Sequence, residues 1–337
     1  TLVDLAFGDV STGKEPEFDM YILGWGLGVD PNYLYDFFHS SQLAPWGANA
    51  PGIQDPELDE WLEKTMEETS RDKVMEAMYK SQELLADKLP YVPLYERLAV
   101  FAARGDKWTG YVNGKGSGLP NFWTFMNVHP KDKAFGGTFV FGMLDDIKTT
   151  NPIIGYPEGT VWDWYVMGLI YDSLFYIDPI TLEDKPMLAE SWDIEEWEYA
   201  PGEKGLKITF HLVKNATWHD GLPVTAEDVK FTYEYCLKHE VPEVLPRIKY
   251  IVRMETPDPF TITLYLNTSS YWAFHWINTP VILPKHIWEK IDNPYTYENP
   301  VPIGSGPFMW KERKPGEYIV LEYNPYYFKS ARVAKVE

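Results

Sequence analysis

Apolar and polar positions alternate most cleanly at residues 207–212, where Ile208, Phe210 and Leu212 are interleaved with Lys207, Thr209 and His211. A period of two puts successive side chains on opposite faces and predicts a half-buried strand. The pattern then changes. Residues 215–223 form a polar loop, and Thr225 with Asp228 three positions on has the form of a capping box, with Val224 and Val229 at the spacing of a hydrophobic staple. Val229, Thr232, Tyr233, Cys236 and Leu237 share one face at helical spacing, so a helix is expected here.

The same reasoning places the other elements. Strands are expected at residues 1–7 and 18–23 around a turn at 11–17, and Gly24, Gly26 and Gly28 allow close backbone approach. These glycines are not a dinucleotide fingerprint, because Val29 stands where the last glycine is needed. Asp55 caps a helix with Pro56 at its first position and Leu58, Trp61, Leu62 and Thr65 as the buried stripe. Thr69 with Asp72 starts a second helix whose Val74, Met75, Met78 and Leu85 face inward, ended by Pro90. Residues 91–103 follow as a strand, and 138–141 as another. Val161, Trp162, Tyr165, Val166, Leu169 and Ile170 mark a helix; Phe260, Ile262, Leu264 and Leu266 alternate as a strand; Pro315–Gly316 centres a hairpin.

Composition narrows the class. A chain of 337 residues has room for about two domains. With 45% hydrophobic residues and no long polar tract it is globular. The net charge of -20, from 50 acidic and 30 basic residues, argues against nucleic acid as a partner and against docking on anionic lipid. The single cysteine, Cys236, lies on an apolar helix face and reads as a buried inert thiol, and no intrachain disulfide is possible. No run reaches the roughly 18 apolar residues of a membrane span. Thr1 opens into TLVDLAF without a basic region, so a mature, trimmed or partial chain is expected.

No metalloprotease, C-x-x-C, P-loop or G-x-S-x-G motif is present, and the seven histidines show no ligand spacing. His219 is expected to be a loop histidine held by local hydrogen bonds. No cofactor is implied. Carboxylates are plentiful, but no spacing singles out a glycosidase pair. Aromatic residues make up 16%, with 14 Trp and 23 Tyr, which suits stacking on sugar rings or gripping peptide side chains, or simply filling a core. Asn215 and Asn267 open glycosylation sequons.

The run Trp218 to Tyr233, WHDGLPVTAEDVKFTY, resembles the signature region of the dipeptide/oligopeptide-binding family of extracytoplasmic solute-binding proteins, the receptors of ABC importers. Leu169–Asp178, Met187–Trp192, Leu283–Trp288, Gly304–Phe308 and Tyr318–Tyr327 stand in that family's order. The resemblance implies an α/β, type II periplasmic-binding-protein architecture with two lobes around a cleft. It also implies an extracytoplasmic location, a permease partner in the membrane, an oligopeptide or oligosaccharide as ligand, and no catalysis. An enzyme acting on glycans or peptides, or a structural module, is the alternative.

The family order is tail first. Residues 1–107 resemble the C-terminal part of the distal lobe and 108–135 a return strand and linker. Residues 136–337 resemble the receptor's N-terminal part, with 155–300 as second lobe and 136–154 and 301–337 as hinge-lobe strands. The distal lobe is thus expected to be incomplete, to be filled by a second chain or a further segment. By the resemblance, ligand-binding residues are Trp25, Gly26, Asp30 and Asn32, then Tyr95 and Arg97, then Asp146 and Thr149. A core tryptophan is the alternative reading of Trp25, and a solvated strand charge that of Arg97. Peptide-binding members place an aspartate where Gly28 stands, to meet the peptide ammonium; its absence leans toward an uncharged or oligosaccharide ligand.

Overall fold

The computed structural model describes residues 8, 12–14, 17, 20, 22, 24, 26–27, 31–43, 47–96, 98–329 and 335–336. The expected strand at 1–7 and most of that at 18–23 lie outside them. The chain divides into two compact units, residues 1–98 with 268–273, and residues 99–267 with 274–337.

The smaller unit is helical. Helix α1 (Tyr33–Phe38) buries Leu34 and Phe38. Helix α2 (Pro56–Glu67) is capped as expected, with the Asp55 carboxylate accepting from the Leu58 N–H at 2.9 Å and from the Lys88 ammonium at 2.6 Å. Leu58, Leu62 and Thr65 are buried, while Trp61 is half-buried under the Lys64 ammonium. Helix α3 (Arg71–Lys88) starts one residue later than the pattern suggests, with Ser70 at the cap position. Its buried face is Val74, Ala77, Met78 and Ser81; Met75 and Leu85 are only half-buried.

The last carbonyls of α2 have no intrahelical donor. Segment 268–273 supplies donors: the Trp272 indole N–H to Thr65 O at 2.7 Å, the Ser270 hydroxyl to Met66 O, and the Tyr271 N–H to Glu68 O at 2.9 Å.

One expectation fails between the helices and the larger unit. The described residues of 91–103 form no strand, and Val92, Leu94, Leu98 and Val100 are exposed. Alternation alone does not make a strand: its N–H and C=O groups need a ladder partner, and this segment has none among the described residues.

The larger unit holds two four-stranded sheets. Strands β1 (Trp108–Thr109) and β2 (His129–Pro130) pair around helix α4 (Phe122–Asn127). Strand β3 (Thr138–Phe139) is shorter than the four residues expected. Helices α5 (Pro152–Glu158) and α6 (Val161–Ile170) follow, then the ladder of β4 (Phe175–Ile177) and β5 (Asp184–Pro186). Strands β6 (Ala189–Ala200) and β7 (Glu203–Leu212), helix α7 (Ala226–Lys238), and strands β8 (Ile251–Asp258) and β9 (Thr261–Leu266) form the first sheet with its helix. The sheet order is β6-β7-β9-β8, all antiparallel. Ile208 and Phe210 of central β7 face Leu264 and Ile262 across the ladder, and all four are buried, as their alternation requires.

Thr225 and Asp228 form the capping box of α7. Its buried face includes Val229, Thr232, Tyr233 and Cys236 as read from spacing, with Tyr235 in addition and Leu237 half-buried. Burial pushes the Cys236 thiol up to about 12. Thiolate is the reactive form, so native protein is expected to leave Cys236 unlabelled by a thiol-specific reagent at pH 8, with stoichiometric labelling in urea. The second sheet, β10 (Phe308–Lys314), β11 (Tyr318–Tyr323), β12 (Lys335–Val336) and β3, has the order β10-β11-β12-β3. The expected hairpin joins β10 to β11, with Gly316 at φ 75°.

Candidate functional site

A groove of about 700 Å³ opens in the larger unit. Its apolar wall comes from Phe125 on α4, Tyr165 and Leu169 on α6, Phe141 after β3, and Tyr318 and Ile319 on β11. Residues 142–146 and Glu317 form its rim, so acidic groups meet an aromatic floor.

The rim loop is pinned by two carboxylates. Asp146 accepts from Arg313 Nη2 at 2.9 Å, the Gly316 N–H at 2.8 Å and the Ile147 N–H at 2.8 Å. Burial alone would raise its pKa, but Arg313 and those amides outweigh burial and hold the carboxyl below its usual range. Asp163, fully buried on the first turn of α6, gathers four donors. Its Oδ1 accepts from the N–H groups of Lys148 at 2.6 Å and Thr149 at 2.8 Å, and its Oδ2 from the Thr160 N–H and hydroxyl, each at 2.6 Å. Here too burial acts upward, and the Thr160, Thr149 and Lys148 donors outweigh it.

Of the expected ligand residues, the structure brings Asp146 and Thr149 into this one loop. Asp146 lines the groove, with its carboxylate committed to Arg313 and Gly316. Thr149 gives its N–H to Asp163, and its hydroxyl oxygen accepts from the Asn151 N–H at 3.0 Å. Gly26, Asn32 and Tyr95 belong to the smaller unit. Asn32 sits at the N-cap of α1 without a side-chain cap bond, Tyr95 is 77% exposed, and Gly26 has open space where a Cβ would stand. Trp25, Asp30 and Arg97 lie outside the described residues. Sequence reading missed Asp163 and Arg313. Asp163 was findable, since Thr160-Val-Trp-Asp163 before an apolar run is itself a capping box; Arg313 carried no local signal.

The family-like motifs are sewn to one another. His219 accepts from the Gly304 N–H at Nδ1 (3.2 Å) and donates from Nε2 to Gly306 O (3.0 Å), joining WHDG to GSGPF. Asp172, buried in LIYDSLFYID, accepts from the Ser305 hydroxyl at 3.2 Å and the Tyr327 hydroxyl at 3.0 Å. Asp228 accepts from the Lys285 N–H at 3.1 Å, and the Thr232 hydroxyl oxygen from the Leu283 N–H at 2.9 Å, tying α7 to LPKHIW. His219 is a hydrogen-bonded loop histidine as expected, but its ring bonds are not local: they reach a segment some 85 residues away in the chain. Among the described residues no group of three His, Cys, Asp or Glu side chains could hold a metal ion.

Two of these sutures titrate in opposite senses. Burial pushes Asp172 up to about 7 from 3.8, so its contribution is full below pH 3.8 and lost as pH rises through 7. Burial pushes His219 down to about 4 from 6.5, so its contribution is full above pH 6.5 and lost as pH falls through 4. Each is worth on the order of 3–4 kcal/mol across its window, at about 1.4 kcal/mol per unit. They nearly cancel, and the melting temperature is expected to be flat between pH 4 and 6.5. In Asp172→Asn the His219 slope is no longer opposed by Asp172, and the lowered His239 acts in the same sense, so melting should rise with pH over that range; a falling curve would refute the assignment.

Residues 183–337 match the sequence family described as bacterial extracellular solute-binding proteins, family 5, middle region. The chain is 30% identical over 220 residues to the peptidoglycan-binding protein YepA of Agrobacterium fabrum, covering 62% of this chain and 34% of YepA. It is also 30% identical over 158 residues to a Brucella ovis protein whose name assigns it provisionally to ABC-transporter peptide binding, covering 45% of this chain and 29% of that one. The chain thus spans about a third of the length of the curated relatives it matches. Among solved structures, the ABC transporter substrate-binding protein CtaP of Listeria monocytogenes superposes with a TM-score of 0.50 at 32% identity, over 60% of this chain and 40% of CtaP. AgaA of A. tumefaciens R10, determined with agropinic acid, gives 0.50 at 29% identity, over 59% and 39%. Residues 183–337 thus match family 5 of the bacterial extracellular solute-binding proteins, and the chain's α/β fold is part of their type II architecture.

Proposed function

We propose that the chain is the ligand-binding part of an extracytoplasmic receptor of an ABC importer, capturing an oligopeptide or oligosaccharide and delivering it to a membrane permease. The family match over residues 183–337 carries this reading. The names of similar proteins support a polar organic ligand: peptidoglycan for YepA, agropinic acid for AgaA. We assign ligand contact to the groove beside residues 142–146, whose Phe141, Tyr165 and Tyr318 offer flat apolar faces suited to sugar rings or peptide side chains. Asp146 lines it, and Thr149, three residues on in the same loop, is proposed as a further contact. Trp25, Gly26, Asp30, Asn32, Tyr95 and Arg97 are proposed as further contacts on the resemblance. Binding that favours a closed state would signal the permease, and no bond need be broken.

A thermal-shift screen of short peptides and oligosaccharides, with native mass recorded, tests this. Ligand at 100 times Kd adds about 2.7 kcal/mol, a rise of roughly 5–10 °C for a unit of this size. A dose-dependent rise with one class supports the reading and names the class. Turnover of a chromogenic glycoside or peptide, or no shift from a folded sample, overturns it.

A further inference from the structure

We propose that the Gly304–Gly306 crossover is a protonation-operated latch, held shut by uncharged His219 and opened when that imidazole takes a second proton. The inference stands on hydrogen-bond polarity. The Gly304 N–H can only donate, so the Nδ1 it meets at 3.2 Å carries no proton. Nε2 therefore bears the ring proton and gives it to Gly306 O at 3.0 Å. A further proton has one place to go, Nδ1, where it would face the Gly304 N–H donor to donor. A buried bond is then replaced by a buried repulsion.

The surroundings decide how readily this happens. Asp220, adjacent in sequence, favours the imidazolium, but its carboxylate lies 2.7 Å from His286 Nε2. On the far side of Ser305 stand Asp172, Tyr327 and Lys329; the two hydroxyls of Ser305 and Tyr327 satisfy Asp172, and the Lys329 ammonium donates to Pro186 O. Asn324 Nδ2 shares Gly306 O with His219, at 3.1 Å, so that carbonyl keeps one donor when the ring leaves. Burial opposes the charged ring and pushes it down to about 4.

The latch holds three parts together. Residues 304–306 run against the end of α6, with the Gly306 N–H on Ile170 O at 2.8 Å. They continue into β10, which carries Arg313 to Asp146 at the groove rim. Opening therefore loosens the WHDG loop from this strap, leaving the backbone bond from the His219 N–H to Gly304 O at 2.9 Å as their remaining tie. This device is a property of the fold and holds whatever ligand the groove takes.

Protein labelled with 15N-glycine and 15N-histidine, titrated by NMR from pH 7.5 to 3.5, tests it. The expected result is a His219 ring in the Nε2–H form that stays neutral down to about pH 4, well below the usual histidine value of 6.5. The Gly304 amide should shift in step, while the Gly155 amide in α5 stays in place. Titration of His219 at the usual histidine value of 6.5, a Gly304 amide that does not follow it, or simultaneous loss of all glycine amides would each overturn the latch. His219→Gln keeps a donor and an acceptor without a titrating proton, and its Gly304 amide should stay still over the same range. A shift there like that of the wild type also overturns the proposal; should this variant not fold, the wild-type titration decides alone.

Discussion

Replacing Gly304 with alanine is expected to cost about 4 kcal/mol or more and to lower the melting temperature by roughly 8–16 °C. A Cβ on Gly304 would stand 1.8 Å from Ile170 O and 2.6 Å from Ile170 C. These are backbone atoms at the end of α6, so no side-chain rotation relieves the clash; the crossover or the helix end must move. Either shift breaks more than packing, because Gly304 gives its N–H to His219 and its carbonyl accepts the His219 N–H at 2.9 Å. Gly306 is as confined, with a Cβ 2.6 Å from Leu169 O. The comparison is Gly168→Ala, inside α6 with open space at the Cβ position, where helix propensity predicts a gain of up to about 1 kcal/mol. Calorimetry on the two variants measures both signs, and a Gly304→Ala protein melting within two degrees of wild type would show that the crossover is not packed as described.

Loss of the Asp163 carboxylate is expected to be nearly as severe. Asp163→Ala strands the Lys148 and Thr149 N–H groups and both Thr160 donors at a part-buried site, and orphaned donors cost up to about 1–3 kcal/mol each with incomplete additivity. A total of about 3–5 kcal/mol should appear in urea unfolding at pH 7. Asp163→Asn keeps one acceptor oxygen and should lose about half as much. Because the folded state lowers this carboxyl's pKa, the stabilisation is present above pH 3.8 and lost as pH falls below it. The alanine variant should therefore lack part of the wild type's acid-side decline. If it instead matches wild type in urea at pH 7, the four donors have other partners.

These two sites show where sequence was informative. The caps at Asp55 and at Thr225 with Asp228, and the alternation of β7, rest on residues a few positions apart and were legible as such. The strand expected at 91–103 is not formed among the described residues, because pairing depends on a neighbour that local pattern cannot supply. Asp146 was legible as a loop carboxylate, but its engagement by Arg313 and Gly316 spans 167 and 170 residues of chain. The sixteen residues from Trp218 to Tyr233 identified the family, and their side chains turn out to make scaffold bonds rather than to line the groove.

The closing of α2 by segment 268–273 bears on synthesis. The bonds from Ser270 and Trp272 reach across 204 and 207 residues. A ribosome moving at roughly 5–20 residues per second needs on the order of 10–40 s to cover that span. Throughout that interval the nascent α2 carries an uncapped carbonyl end and lacks the tryptophan that covers it. The helical unit is begun before the segment that completes it is made, so holdase chaperones have a long opportunity on the open end of α2.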